Sequence, residues 1–170
     1  MQNTQSNNFI SEIVRKHNTD PQQLIEILHE VQDASGQNYV DSQWASQIAE
    51  LLQLPLAHIY EVLTFYSMFS TTPRGKVLIE ICNSAPCLFS RSKELLAWCR
   101  EELGIGVGEV TPDGEFGIVH TQCVGACDVS PALKIGNNVY GNLDRNKLTQ
   151  LFKSFRENRP ELREPLICQS

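Results

Sequence analysis

Six cysteines stand in this chain of 170 residues, and four of them are spaced as two pairs. Cys82 and Cys87 enclose Asn83-Ser84-Ala85-Pro86, and Cys123 and Cys127 enclose Val124-Gly125-Ala126. Reduced thiols grouped in this way point to metal binding or to redox chemistry. Structural zinc commonly takes C-x2-C pairs, whose tight knuckle suits one tetrahedral ion, and neither pair here has that spacing. A two-iron cluster is wider, uses four cysteines, and in plant-type ferredoxins begins its ligand set with C-x4-C. The pattern of C-x4-C, 35 residues and C-x3-C therefore favours a 2Fe-2S cluster on Cys82, Cys87, Cys123 and Cys127. A zinc-stabilised interaction module using the same four ligands stays open, with no redox role. A thiol oxidoreductase is the weaker third reading, because no C-x-x-C pair occurs.

The remaining candidates are weaker. Gly125 permits unusual dihedrals and a close approach of backbone N–H groups to sulfur, and serves equally as a plain turn glycine. Cys99 shares an apolar stripe with Leu96 and Leu103 and reads as a core thiol, while Cys168 reads as a free thiol near the C-terminus. His17, His29 and His58 are scattered, and His120, three residues before Cys123, fits a surface or supporting role better than ligation. Gly104-Ile105-Gly106-Val107-Gly108 follows a predicted helix, whereas a dinucleotide fingerprint follows a strand. P-loop, H-E-x-x-H and G-x-S-x-G motifs do not occur, so kinase and hydrolase chemistry has no support.

The elements that must position the thiols fall into two parts. Residues 1–72 carry helix-period patterns: Ile10, Ile13 and Val14; then Leu24, Ile27, Leu28 and Val31; then Trp44, Ile48, Leu51 and Leu52; then Leu56, Ile59, Val62, Leu63 and Tyr66. Met1 to Asn8 read as a loose polar tail without the features of a secretory signal. Asp20-Pro21-Gln22-Gln23 predicts a capped helix start with Gln23 closing a capping box. Lys76 to Ile81 then reads as a strand, Ser90 as the cap of a helix to about Leu103, and Phe116 to His120 as a second strand. Gly136-Asn137-Asn138 joins a hairpin, and a helix from Asp144 buries Leu148, Leu151, Phe152 and Phe155. Both thiol pairs follow strands. Phe65, Tyr66, Phe69 and Phe89 flank the boundary and the first pair, and most are expected in the core, with part of the group available for docking.

Charge excludes some partners. Residues 1–72 hold eight acidic and two basic residues and 73–170 hold twelve of each, so no basic patch exists to neutralise nucleic-acid phosphates. The longest apolar run, Leu95 to Cys99, has five residues, against about 20 for a membrane span. A cytoplasmic protein without direct membrane insertion is expected, in a compartment where thiols stay reduced.

The cysteine pattern, followed by Ser130-Pro131 and Tyr140-Gly141-Asn142-Leu143, resembles the thioredoxin-like 2Fe-2S ferredoxin family. That family includes the 24 kDa subunit of respiratory NADH dehydrogenase (complex I) and small subunits of NAD-linked hydrogenases and formate dehydrogenases. The likeness runs from about Ile10 to Arg156. It implies an α/β fold, with an N-terminal four-helix bundle (1–72), a thioredoxin-like mixed-sheet 2Fe-2S domain (73–158) and an irregular tail (159–170). It also implies an electron-transfer role for a subunit that is not itself catalytic, with the four paired cysteines as cluster ligands. The expected partners are a subunit holding FMN, the NAD(H) site and further iron–sulfur clusters, and a further catalytic subunit. Gln122, Ser130 and the Asn83–Pro86 spacer depart from common family patterns, which favours a soluble NAD-linked hydrogenase or formate dehydrogenase, electron-bifurcating forms included, over respiratory NADH:quinone oxidoreductase.

Overall fold

Three aspartates begin three of the helical stretches. Asp20 Oδ1 accepts from Gln22 N–H at 2.9 Å, Asp41 Oδ1 from Gln43 N–H at 2.7 Å and Asp144 Oδ1 from Lys147 N–H at 2.9 Å. Each bond satisfies a backbone donor that helix geometry leaves without an intrahelical acceptor. The computed structural model describes residues 3–157, with side chains from Phe9 onward. Cys168 and the expected irregular tail lie outside the described residues. Backbone contacts divide the chain into two compact units, with the division between Pro73 and Arg74.

The first unit contains α1 (Asn3–Lys16), a 3-10 turn (Pro21–Gln23), α2 (Leu24–Ala34), α3 (Ser42–Leu52) and α4 (Leu56–Phe65). Helix α1 packs on α2 and α3, and α3 on α4. Ile10, Ile27, Leu28, Ile48 and Ile59 are wholly buried between them, the outcome expected of amphipathic helices that must cover their apolar stripes. Residues 3–8 extend α1 instead of forming a loose tail, since polar Asn, Thr, Gln and Ser lengthen an anchored helix at little cost. The capping box at Asp20 does not form either. Gln23 Oε1 instead accepts from His17 Nδ1 at 2.8 Å, and Glu30 Oε2 accepts from His17 Nε2 at 3.0 Å. Buried Gln32 ties α2 to the segment after α4, donating to Met68 O at 3.0 Å and accepting from Ser70 N–H at 3.0 Å.

The second unit contains β1 (Val77–Cys82), α5 (Ala85–Phe89), α6 (Ser92–Leu103), β2 (Phe116–Thr121), β3 (Leu133–Ile135), β4 (Asn138–Tyr140) and α7 (Arg145–Arg156). A mixed sheet runs in the order β2-β1-β3-β4. Strand β2 is parallel to β1, and β3 and β4 are antiparallel to their neighbours. The parallel pair requires a crossover, which α6 supplies by packing on β1 and α7. Ile79, Ile81, Phe116, Ile118 and Leu133 from the sheet meet Leu95, Cys99, Leu148 and Phe152 from the helices in one core. Sequence periodicity misses α5, five residues that carry Cys87. Ser90 does not cap α6 but closes α5, its N–H reaching Cys87 O at 3.1 Å. Arg91, at φ 68°, then turns the chain into α6.

Two measurements probe the first unit. Gln32→Leu removes both bonds to the 68–70 segment at a buried position and is expected to destabilise the chain by about 2 kcal/mol, read from the urea midpoint. Hydrogen bonds to Gln23 and then Glu30 raise the His17 pKa above its ordinary value, because both ring nitrogens donate only in the imidazolium. The resulting stabilisation is fully present below about pH 6.5 and is lost as pH rises through the raised folded-state value. Urea titrations across that window should show stability falling with pH, and His17→Gln should flatten the slope.

Candidate metal centre

The register of the parallel pair decides where the thiols go. Cys82 is the last residue of β1 and faces Thr121, the last of β2. The ladder continues one step further through Asn83 N–H to Thr121 O at 3.2 Å. The loop after β1 and the loop after β2 therefore leave the sheet at one edge, carrying Cys82 and Cys87 on one side and Cys123 and Cys127 on the other. Strand β3 runs antiparallel to β1 with Leu133 opposite Ile81, so the chain from Cys127 to Pro131 returns along the same edge.

Each loop is tied down by neighbouring elements as well as by its own turn. Ser92 Oγ donates to Cys82 O at 3.0 Å in the interior, and Leu88 N–H reaches Ser84 O at 3.0 Å across the α5 turn. A 3-10 turn (Cys127–Val129) leads to the cis Ser130-Pro131 bond. Asn142 N–H, just past β4, donates to Val129 O at 2.5 Å. A Cβ on the intervening Gly141 would lie 2.5 Å from Val129 Cγ2, so only glycine allows the β4 exit to press against this turn.

The thiols stand as two pairs of different exposure. Cys82 is 1% and Cys87 3% exposed, whereas Cys123 and Cys127 are open to solvent. Cys123 Sγ and Cys127 Sγ are 3.8 Å apart. Burial drives the Cys82 thiol upward in pKa, but hydrogen bonds from the Ser84 hydroxyl and N–H, from Cys87 and from Val124 N–H together hold it below the usual thiol value. Burial and the Cys82 hydrogen bond push Cys87 up. The hydrogen bond with Cys123, then burial and the charges of Cys123 and Cys82, push Cys127 up. The charges of Cys82 and Cys127 act on Cys87, and that of Cys82 acts on Cys127, so the two pairs influence each other's ionisation. Gly125, at φ 79°, aims its N–H at Cys123 Sγ at 3.4 Å.

Among the described residues no three His, Cys, Asp or Glu side chains gather around the position of a single metal ion. Two thiol pairs at the ends of adjacent parallel strands have the chemistry of a two-iron site, in which four cysteine thiolates are shared between the irons. The residues present fit a 2Fe-2S group on that ground, and the fit includes N–H donors to sulfur of the kind that tune such groups.

Other sequence candidates fall elsewhere. Cys99 is wholly buried in α6, where desolvation pushes its pKa up to about 12, a thiol of the core. His120 is exposed, its Nδ1 3.4 Å from Ile81 O. The expectation that most of the four aromatics are core is overturned: Phe69 is buried, but Phe65 is 80% and Phe89 92% exposed, and Tyr66 is partly open. In α4 the covered stripe is Ile59 and Leu63, which leaves Leu56 and Phe65 outside it. Phe89 ends a helix too short to fold its outer face inward. Sequence reasoning also missed the two hydroxyls beside the buried pair, Ser84 near Cys82 and Ser130 near Cys87. Ser84-Ala85-Pro86 was a usable signal for α5, since serine before proline at the first helical turn marks a helix start.

Comparison with known proteins bears on the whole assembly of elements. The sequence model of the thioredoxin-like 2Fe-2S ferredoxin family matches residues 10–156. The chain is 37% identical over 110 residues to a subunit of an NADH-quinone oxidoreductase of Rhizobium meliloti, covering 65% of this chain and 66% of that one. It is 32% identical over 132 residues to a subunit of the NADP-reducing hydrogenase of Solidesulfovibrio fructosivorans, covering 78% and 76%. It is 38% identical over 119 residues to a subunit of the NADH-quinone oxidoreductase of Aquifex aeolicus, covering 70% and 73%. In fold it is similar to a chain of an NAD+-reducing NiFe-hydrogenase crystallised in the air-oxidized state, with a TM-score of 0.71 at 21% identity. That match covers 84% of this chain and 24% of the hydrogenase chain. With the helices, the mixed sheet and the paired cysteines in place, the chain belongs to the thioredoxin-like 2Fe-2S ferredoxin family.

Proposed function

We propose that this chain is an electron-transfer subunit of a multi-subunit NAD(H)-dependent oxidoreductase, holding one 2Fe-2S cluster on Cys82, Cys87, Cys123 and Cys127. The observation that carries the reading is the convergence of two thiol pairs at one sheet edge, one pair buried and the other open to solvent. When bound there, the cluster supplies reversible one-electron chemistry. Cys82 and Cys87 anchor it on the rigid side, where β1 and α5 are fixed to the core. Cys123 and Cys127 form the outer side, through which an electron enters or leaves without opening the fold. The chain by itself has little to catalyse on this reading.

The partner is a subunit holding FMN, the NAD(H) site and further iron–sulfur clusters, with another catalytic subunit completing the complex. The four cysteines would hold the one-electron carrier that such a flavin, which receives electrons from NADH in pairs as hydride, would need as a neighbour. The names of the relatives, subunits of NADH-quinone oxidoreductases and of an NADP-reducing hydrogenase, support this class of assembly. Within it we favour a soluble, cytoplasmic hydrogenase or formate dehydrogenase, on the departures at Gln122, Ser130 and Asn83–Pro86. The respiratory relatives favour NADH:quinone oxidoreductase as the second reading. Leu88, 45% exposed, and Phe89 project from the helix that carries Cys87 and supply an apolar contact beside the site for the flavin-bearing subunit.

Anaerobically purified chain should be brown and hold iron and inorganic sulfide in equal amounts, with an EPR signal on reduction. Replacing any one of Cys82, Cys87, Cys123 or Cys127 by serine should reduce or abolish that signal, and four replacements that leave it unchanged would overturn the assignment. Phe89→Glu should leave the cluster content intact and weaken association with the flavin-bearing subunit about tenfold or more, measured by titration of the two purified subunits. Purification of the native complex with its tagged partner identifies whether hydrogenase, formate dehydrogenase or quinone-linked subunits accompany the chain.

A further inference from the structure

Ser130 Oγ lies 3.7 Å from Cys87 Sγ, within reach of a hydrogen bond to sulfur. Its backbone is fixed from both sides. Upstream, Val129 O accepts from Asn142 N–H at 2.5 Å; downstream, Pro131 O accepts from Leu143 N–H at 3.2 Å, and Leu133 is paired with Ile81 in the sheet. The hydroxyl therefore meets Cys87 by construction of the fold. Between a free thiol and a hydroxyl either group can donate. A metal-ligating sulfur has lost its proton, which leaves the Ser130 hydroxyl as the donor.

We propose that Ser130 is a positioning residue that donates its hydroxyl hydrogen to Cys87 Sγ and thereby raises the reduction potential of the bound 2Fe-2S group. The inference rests on the ligand assignment above. Reduction adds negative charge to the cluster and its thiolates, and a hydrogen bond to an ionised sulfur strengthens as that charge grows. The same donor therefore stabilises the reduced state more than the oxidised one. Burial of Cys87, at 3% exposure, keeps water from replacing the lost donor and magnifies the effect. Ser84 gives parallel support on the same buried pair. It occupies the N-cap position of α5 but makes no side-chain cap bond there, its hydroxyl being turned to Cys82.

The test is an EPR-monitored redox titration of wild type, Ser130→Ala and Ser130→Thr, with iron and sulfide measured on each. The alanine variant should retain its cluster and show a lower midpoint potential, with the reduction equilibrium weakened by up to about tenfold, equivalent to about 59 mV for one electron. The threonine variant, which keeps the hydroxyl, should stay near wild type. An alanine variant with full cluster and unchanged potential overturns the proposal, as does a threonine variant that shifts as far as alanine. If the alanine chain does not load, Ser130→Gly takes its place, and loading by neither overturns the proposal, because the hydroxyl would then hold the group in place and not set its potential. Wild type without iron and sulfide refutes the ligand assignment instead, so the two failures are distinguishable.

Discussion

The register that sets Cys82 opposite Thr121 is the constraint on which the rest of the second unit depends. Parallel pairing makes two strand ends coincide at one edge, and each strand end is followed within a few residues by a thiol pair. A slip of one residue would turn every side chain of β1 to the other face and separate the pairs. The register is held by apolar residues on the buried face, Ile79 and Ile81 from β1 with Phe116 and Ile118 from β2, all wholly buried. Core packing and site geometry are in this sense one requirement, since the hydrophobic alternation that chooses the sheet face also chooses where the sulfurs meet.

Four thiols gathered in this way are poorly suited to an empty site. Burial at Cys87 and the hydrogen bond with Cys123 at Cys127 raise the cost of ionising these thiols, and the charges of neighbouring sulfurs add to it. Donors offset part of that cost at fixed points: Ser84 and Val124 N–H at Cys82 and Ser130 at Cys87. On the proposed assignment, positive charge from bound iron would offset far more, and metal loading would be linked to local folding of the two loops. One pair is buried and the other exposed, and on the proposed assignment the first would anchor the group and the second would give it electrical access.

Much of this was legible before any coordinates. Helix periodicity located α2 and α3 because their stripes, such as Leu24, Ile27, Leu28 and Val31, repeat with the helical pitch over three turns. The β-branched run at Val77 to Ile81 and the glycine-asparagine turn at 136–137 gave the sheet its visible elements. The spacing of the four cysteines carried the expectation of a two-iron site. Helix α5 escaped because five residues are too few to show a period, and its only signals are local ones at Ser84 and Pro86. Ser130 escaped for a different reason, since its approach to Cys87 spans 43 residues and depends on the return of β3 beside β1. The exposure of Phe65 and Phe89 was misread because aromatic residues are core-seeking on average, while a helix end or a very short helix has no inner face to offer them.

Cys99 gives the second unit a chemically silent sulfur. Its burial and high pKa place it beyond the reach of alkylating reagents while the fold is intact. The outer thiols Cys123 and Cys127 have no such shelter. These are the sulfurs open to oxidants, and on the proposed assignment a subunit seated over them would double as a shield against molecular oxygen.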